Sequence, residues 1–225
     1  GYPVIKRKMK QWALRITAYS NRLLKDLNKI DWPNSIKEIQ KNWIGKSKGA
    51  YIFFQIDNKE NTKVEVFTTR ADTIFGVTFL VLSPDHPIIK QLIDCKNVSA
   101  YIKGCKIKTE IERKKSKQIS GVFSGLYALH PITNEKIPIW ISDYVLIDYG
   151  TGAIMAVPCG DQRDWSFASK FDLDIKNVFR GVDVSKSAHE EKDIILENSD
   201  FINGMPSIEA SYEIISYLEK KKIGF

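Results

Sequence analysis

The sequence predicts an α+β domain, a curved sheet or small β-barrel with helices packed around it. Several β-rich runs recur along the chain, helical stretches of unequal length separate them, and no regular βαβ repeat connects them. That pattern belongs to an α+β layer architecture rather than to a doubly wound parallel sheet. The 225 residues can bury a substantial core, with 43% hydrophobic and 27% charged side chains, close to the globular average and away from the composition of disordered chains. No apolar run approaches the ~18 residues that would span a bilayer.

The elements follow in order. Ile5, Met9, Trp12, Ala13, Ile16, Leu23, Leu24 and Leu27 recur at helical spacing with Lys6, Lys10, Arg15, Arg22 and Lys25 between them, which predicts an amphipathic helix with a basic outer face. Asp31-Trp32-Pro33-Asn34 breaks the pattern, and Ser35 is placed to cap a short helix through Gln40 that Gly45 ends. Residues 1–45 therefore form a helical lead-in to a domain spanning 46–225. The start, Gly1-Tyr2-Pro3, without methionine or a signal-like apolar stretch, gives the expectation of a piece of a longer protein.

Ala50–Ile56 and Lys63–Thr69 alternate as strands around Asp57-Asn58-Lys59-Glu60-Asn61, a turn composition, so a hairpin is expected. Val77–Leu82 continues as an apolar strand, and Pro84–Leu92 has the proline and spacing of a helix start. Lys106–Lys117 is dense in charge and poor in apolar anchors, an exposed helix or a mobile excursion. A second hairpin pairs Leu126–His130 with Ile137–Ile141 around Thr133-Asn134-Glu135, and Ala153–Val157 reads as a short buried strand. Asp161–Phe171 and Ser207–Lys221 read as helices, the second presenting Ile208, Tyr212, Ile215 and Leu218 on one face.

A net charge of +7 suits a polyanionic partner and equally a solvated surface. Cys95, Cys105 and Cys159 are odd in number, without a C-x-x-C, and His86, His130 and His189 are scattered, which argues against a zinc site or a disulfide framework.

Two segments carry chemistry. In Thr68-Thr69-Arg70-Ala71-Asp72-Thr73-Ile74-Phe75-Gly76 a strand ends in hydroxyls around one Arg and one Asp. Such a cluster can line a pocket on a rigid frame, although Thr is also an ordinary strand residue and Asp72 an ordinary turn cap. In Tyr149-Gly150-Thr151-Gly152-Ala153-Ile154-Met155-Ala156-Val157-Pro158-Cys159-Gly160-Asp161-Gln162-Arg163-Asp164 a glycine-rich turn enters a buried strand that Pro158 ends. Capping the next helix accounts for Asp161 completely, whereas a second acid, Asp164, is free to bind a cation. Gly150-x-Gly152 leads into a strand rather than a helix and lacks a third glycine, so nucleotide-cofactor binding is rejected.

At these segments the sequence resembles the editing domain of leucyl-tRNA synthetase, whose motifs are of the type TTRPDTLFG and GTGA, MAVP, HDQRD. The likeness extends through Lys10-Gln11-Trp12, Asp31-Trp32-Pro33 and Asn42-Trp43-Ile44-Gly45, nearly the whole chain. It implies a β-barrel-centred editing domain with surrounding helices, inserted in a class I catalytic core. That core's HIGH and KMSKS signatures are absent from this sequence, so ATP and Mg are expected only for the core and no cofactor or metal for editing. The implied activity is hydrolysis of mischarged tRNA(Leu) carrying norvaline, isoleucine or methionine, with leucine spared. One methylene is worth only ~1–3 kcal/mol of discrimination, a general figure that itself comes from aminoacyl-tRNA synthetases, so a second sieve is needed.

The resemblance also implies roles. Asp164 anchors the substrate ammonium. Thr68, Thr69 and Arg70 work at the ester, positioning water or polarising the pocket. Thr73 is the sieve that blocks leucine's branched end, and Tyr149, Met155 and Val157 wall the pocket, with Asp161 and Arg163 of the same motif on the substrate side. No residue is an evident nucleophile or strong base; Cys159 has no histidine beside it in sequence. Implied partners are the tRNA(Leu) 3′ end with its terminal adenosine and the rest of the synthetase chain, with no membrane, a monomeric isolated domain, and a cytoplasmic or organellar setting. Three positions depart from the family pattern: Ala71 stands for proline, Cys159 for a small residue, and Gly160 for histidine. The alternative reading is a tRNA-binding module that has lost hydrolysis through Gly160.

Overall fold

The structure, a computed structural model, describes residues 9–46, 48–59, 61–92, 96–107, 119–147 and 150–225. It divides into two compact units, Gly1–Lys48 and Gly49–Phe225.

In the first unit a 3-10 turn over Ile16–Tyr19 runs into α1 (Ser20–Asp26), a second 3-10 turn covers Leu27–Lys29, and α2 spans Asn34–Ile44. The expected long helix from Ile5 is therefore corrected: Met9–Arg15 has no regular structure, and residues 1–8 lie outside those described. The reason is that Met9, Trp12, Leu14 and Ile16 are all exposed, and an amphipathic helix draws most of its stability from burying its apolar face. Ser35 is not the cap either, since Pro33 precedes the first helical residue, and α2 continues four residues past Gln40. Gly45 does end it, in the left-handed conformation at φ 63°, where a glycine carries no steric penalty.

In the second unit β1 (Ala50–Ile56) and β2 (Lys63–Thr68) form the expected antiparallel hairpin, Ala50 opposite Thr68 and Gln55 opposite Lys63. The Gln55 amide ties the turn by donating to the carbonyls of Lys59 (2.6 Å) and Thr62 (3.0 Å). β3 (Phe79–Leu82) is followed by α3 (Pro87–Leu92) and α4 (Lys96–Ile107). α4 had no counterpart in the sequence reading, and the charged stretch expected over Lys106–Lys117 falls, beyond Ile107, outside the described residues. β4 (Val122–Leu129) and β5 (Lys136–Ile141) form the second hairpin. β4 starts four residues before the expected Leu126, because a register shift between Phe123 and Tyr127, with Gly125 at φ 80°, interrupts the alternation by which a strand is recognised. β6 (Ala153–Ala156), α5 (Gln162–Phe171) and α6 (Ser207–Lys221) complete the fold.

Among the described residues the six strands make one sheet in the order β2-β1-β4-β5-β3-β6. It is mixed, since β3 runs parallel to β5 and antiparallel to β6, and β2 comes back beside β6, so the sheet nearly closes into a barrel. This is the expected α+β, barrel-centred class. β3 is buried on both faces: Leu80 and Leu82 enter the main core, whereas Phe79 and Val81 join a second cluster with Phe167 and Ala168 of α5. The chain end adds a short antiparallel pairing to β1, Tyr51 and Phe225 exchanging backbone hydrogen bonds of 2.7 and 3.0 Å.

α6 spans the expected residues with its buried stripe rotated from the expected face, which it shares at Leu218 and, partly buried, at Ile215. Ser207, Ala210, Ile214 and Leu218 are buried, whereas Ile208 and Tyr212 are 65% and 72% exposed. Ala210, Ile214 and Leu218 pack in the main core, and the Ser207 hydroxyl on the same side donates to the Lys192 carbonyl. No helix of the described residues is long and apolar enough to cross a membrane.

Candidate active site

Thr68 is the last residue of β2, and the chain leaves it through Thr69 and Arg70 into a buried 3-10 turn, Ala71–Gly76. Local hydrogen bonds shape this exit. The Thr68 hydroxyl oxygen accepts from the Arg70 N–H at 3.0 Å, and the Thr73 hydroxyl donates to the Arg70 carbonyl at 2.9 Å. Thr69 is exposed and Thr73 buried. The Thr73 hydroxyl is thereby engaged by the backbone.

Asp72, which the sequence leaves as a plain turn cap, is the buried partner of Arg70. The guanidinium forks onto its carboxylate, Nη2 at 2.8 Å from Oδ2 and Nε at 3.1 Å from Oδ1. The Arg70 side chain is 20% exposed and that of Asp72 1%. Ser211 of α6 adds a donor at 3.3 Å, and Phe179 lies beside the guanidinium at 5.9 Å. Bidentate pairing of this kind fixes orientation as well as charge, so Arg70 braces the turn through Asp72.

The second segment starts with two left-handed glycines, Gly150 at φ 61° and Gly152 at φ 72°. Tyr149 lies outside the described residues. Met155 and Val157 are buried at the end of β6 and just past it. Asp161 caps α5 as expected, accepting from the N–H groups of Arg163 (2.8 Å) and Asp164 (3.2 Å). The Arg163 side chain is largely exposed, its guanidinium 3.4 Å from Asp161.

Asp164 is 5% exposed, and both its oxygens have donors: Val157 N–H to Oδ2 at 2.9 Å and the Tyr144 hydroxyl to Oδ1 at 3.0 Å. Burial first, and then the neighbouring Asp161, push its carboxyl up to about 7 against the pull of these two donors. Two acceptor positions of a carboxylate are thereby used, and about two of its four lone-pair sites remain. A buried acid poised near neutrality, fixed by two donors, is a group able to receive a cationic ligand.

Packing brings the two segments together. A methyl group at Gly76 would stand 3.1 Å from Val157 Cγ1 and 3.2 Å from Cys159 Sγ, and one at Gly150 would stand 3.6 Å from Phe67 Cβ of β2. The end of the threonine-bearing turn thus rests on the strand-to-helix turn that leads to Asp164, and the glycine turn lies beside β2.

Sequence reasoning missed three contributors. Tyr144 lies 20 residues before Asp164, and no spacing rule links them. Phe179 connects Arg70 with Gly160, where an added Cβ would meet its Cζ at 3.2 Å. His189 donates its backbone N–H to the Cys159 carbonyl at 2.8 Å, and its ring packs on Phe179 at 5.7 Å. Folding therefore places a histidine beside Cys159 that the linear sequence does not. Burial nevertheless pushes the Cys159 thiol up to about 11, which removes the thiolate a nucleophile needs.

Comparison with known proteins identifies the family of the fold that carries these residues. The family model "Leucyl-tRNA synthetase, editing domain" matches residues 41–219. A leucine–tRNA ligase of Christiangramia forsetii is 53% identical over 100% of this chain and 24% of its own length. That of Bdellovibrio bacteriovorus is 51% identical over 100% of this chain and 28% of its own. A LeuRS of Agrobacterium radiobacter K84, solved in a ternary complex with tRNA and LeuAMS, superposes with a TM-score of 0.80 at 32% identity, over 98% of this chain and 25% of that one. The chain thus spans about a quarter of the length of these relatives. On the family-model match over residues 41–219 and the identity to these relatives, this chain belongs to the leucyl-tRNA synthetase editing-domain family.

Proposed function

We propose that the chain hydrolyses the ester of mischarged tRNA(Leu), carrying norvaline, isoleucine or methionine, and spares leucine. The observation that carries the reading is the buried Asp164, held by two donors just past the strand-to-helix turn on which Gly76, the end of the Thr68–Gly76 segment, packs. An aminoacyl ester bears an ammonium group next to the bond to be cleaved, so a fixed carboxylate locates the ester carbonyl as well as the amine.

The ester is already activated, and positioning a water and stabilising the developing oxyanion can carry its hydrolysis. Thr68 and Thr69 offer hydroxyls for that task, and Arg70 offers positive charge on a frame braced by Asp72. The Thr73 methyl group is the barrier to leucine's branched end. Met155 and Val157 form the pocket wall, and Asp161 and Arg163 set the helix start behind it. The scheme asks for no cofactor; ATP and Mg belong to aminoacylation elsewhere in a full-length ligase. The tRNA(Leu) 3′ end with its terminal adenosine is the partner this chemistry requires. The LeuRS relative solved with tRNA supports that reading. The remaining synthetase chain is the natural cover for the exposed Trp12, Leu14 and Trp43 of the first unit, and the setting is the cytoplasm.

The test is deacylation of isoleucyl- and norvalyl-tRNA(Leu) by the full-length ligase, with Asp164→Asn as the control. Hydrolysis by the parent and its loss in the variant are expected. A parent ligase that binds these tRNAs and leaves the ester intact would instead establish the tRNA-binding module, which the side-chain-free Gly160 favours.

A further inference from the structure

We propose that Tyr144 is a positioning residue for the Asp164 carboxylate, its hydroxyl holding Oδ1 while the Val157 N–H holds Oδ2, so that the remaining lone pairs face the substrate ammonium. The inference rests on the ammonium-anchor reading of Asp164 and adds the group that keeps that anchor oriented and charged.

The geometry is over-determined. Tyr144 lies in the connection between β5 and β6, and its ring packs 5.7 Å from that of Phe167 in α5. Its neighbours are pinned on both sides. Ser142 takes the Leu82 carbonyl through its N–H at 3.1 Å and gives its hydroxyl to Ser120 at 2.5 Å. Asp143 donates its N–H to the Tyr101 hydroxyl at 3.2 Å and accepts from the Ser120 hydroxyl at 2.7 Å. Val145 is buried in the Phe79–Phe167 cluster. The phenol therefore reaches Asp164 from a rigid support on the barrel, opposite the helix that carries the acid.

The charged and titratable groups facing Asp164 are few. Asp161 opposes its ionisation, Arg163 of α5 favours it, and the Cys159 thiol stands nearby. Among the described residues Tyr144 is the side chain that donates to the carboxylate. Burial, with Asp164 next in effect, pushes the phenol well above its ordinary value, so it stays a donor throughout the working range. A hydrogen bond to the ionised form favours that form. Removing the donor raises the pH needed to ionise Asp164, and the acid limb of the hydrolysis profile moves with it.

The experiment is the pH profile of isoleucyl-tRNA(Leu) deacylation by the full-length ligase, as Tyr144→Phe and with 3-fluorotyrosine at position 144. Tyr144→Phe should move the acid limb upward by about one pH unit, the scale of one charge-assisted hydrogen bond. The fluorinated ring, a stronger donor, should move it downward. Opposite displacements are not produced by a loss of packing, and the fluorinated ring keeps its place if the Phe variant folds poorly. Unmoved limbs in both proteins, with hydrolysis still abolished by Asp164→Asn, would overturn the role of Tyr144 alone. Hydrolysis surviving in Asp164→Asn would overturn the anchor reading beneath it.

Discussion

Replacing Asp164 by Asn should stabilise the fold while removing the activity, and the two effects have one cause. The Asp164 carboxyl titrates near 7 instead of its ordinary 3.8, chiefly through burial and secondly through Asp161. Its folded value is raised, so the folded chain binds the proton more tightly than the unfolded one. The resulting stabilisation is full below the unfolded value and is lost as pH rises through the folded one. Above that point the fold carries a buried anion, and the difference of roughly three pKa units corresponds to at most about 4 kcal/mol. The Asn amide has no charge to desolvate, and it can satisfy both neighbours, its oxygen accepting from Val157 N–H and its nitrogen donating to the Tyr144 oxygen. Ala could not, and would leave both donors without an acceptor.

Since 1 kcal/mol moves Tm by roughly 2–4 °C at this size, recovering half of that cost would raise Tm by about 4–8 °C at about pH 8. The gain should shrink toward zero as pH falls below the ordinary value of 3.8, where Asp164 is protonated in both states. Thermal melts of the two proteins across this range, paired with deacylation assays, measure both effects. An Asn variant that melts lower than the parent at pH 8, or by a difference independent of pH, would refute the account of Asp164 as a strained anion.

Other substitutions test the surrounding frame. Asp72→Ala strands the Arg70 guanidinium, and because Arg70 keeps some solvent contact the loss should be about 2–3 kcal/mol by urea denaturation. Gly152→Ala should cost about 1–3 kcal/mol, more than Gly150→Ala, since both are left-handed but only the first would place a Cβ 2.6 Å from Ile147 Cδ1. Equal melting temperatures for the two glycine variants would contradict that packing. Thr73→Ala deletes the methyl group proposed as the sieve, so leucyl-tRNA(Leu) should become a substrate with a rate rising on the order of tenfold or more; an intact leucyl ester would remove the sieve from Thr73.

Local signals were read correctly where they act within one element. The β1–β2 hairpin, the Asp161 cap of α5 and the limits of α6 follow from alternation, capping chemistry and helical period, which neighbouring residues determine. The first unit shows the limit of that reasoning, because the apolar spacing around Trp12 states what a helix would bury and says nothing about a partner to bury it against. α6 shows another: several stripes satisfy one period, and packing against the core selects among them. The candidate site was legible as two motifs and ten residues, and the family resemblance rather than the spacing supplied their roles.

The sequence by itself determined the class of fold, the two chemistry-bearing segments and the family, because hydrophobic period, turn residues and motif identity are properties of consecutive residues. Only the tertiary structure decided how Asp164 is held, that Asp72 locks Arg70, and that Tyr144 and His189 approach the motif from distant parts of the chain. These are through-space matters of burial and donor geometry. Folding encloses Asp164 of α5 between Val157 and Tyr144, and that burial pushes its carboxyl up to about 7.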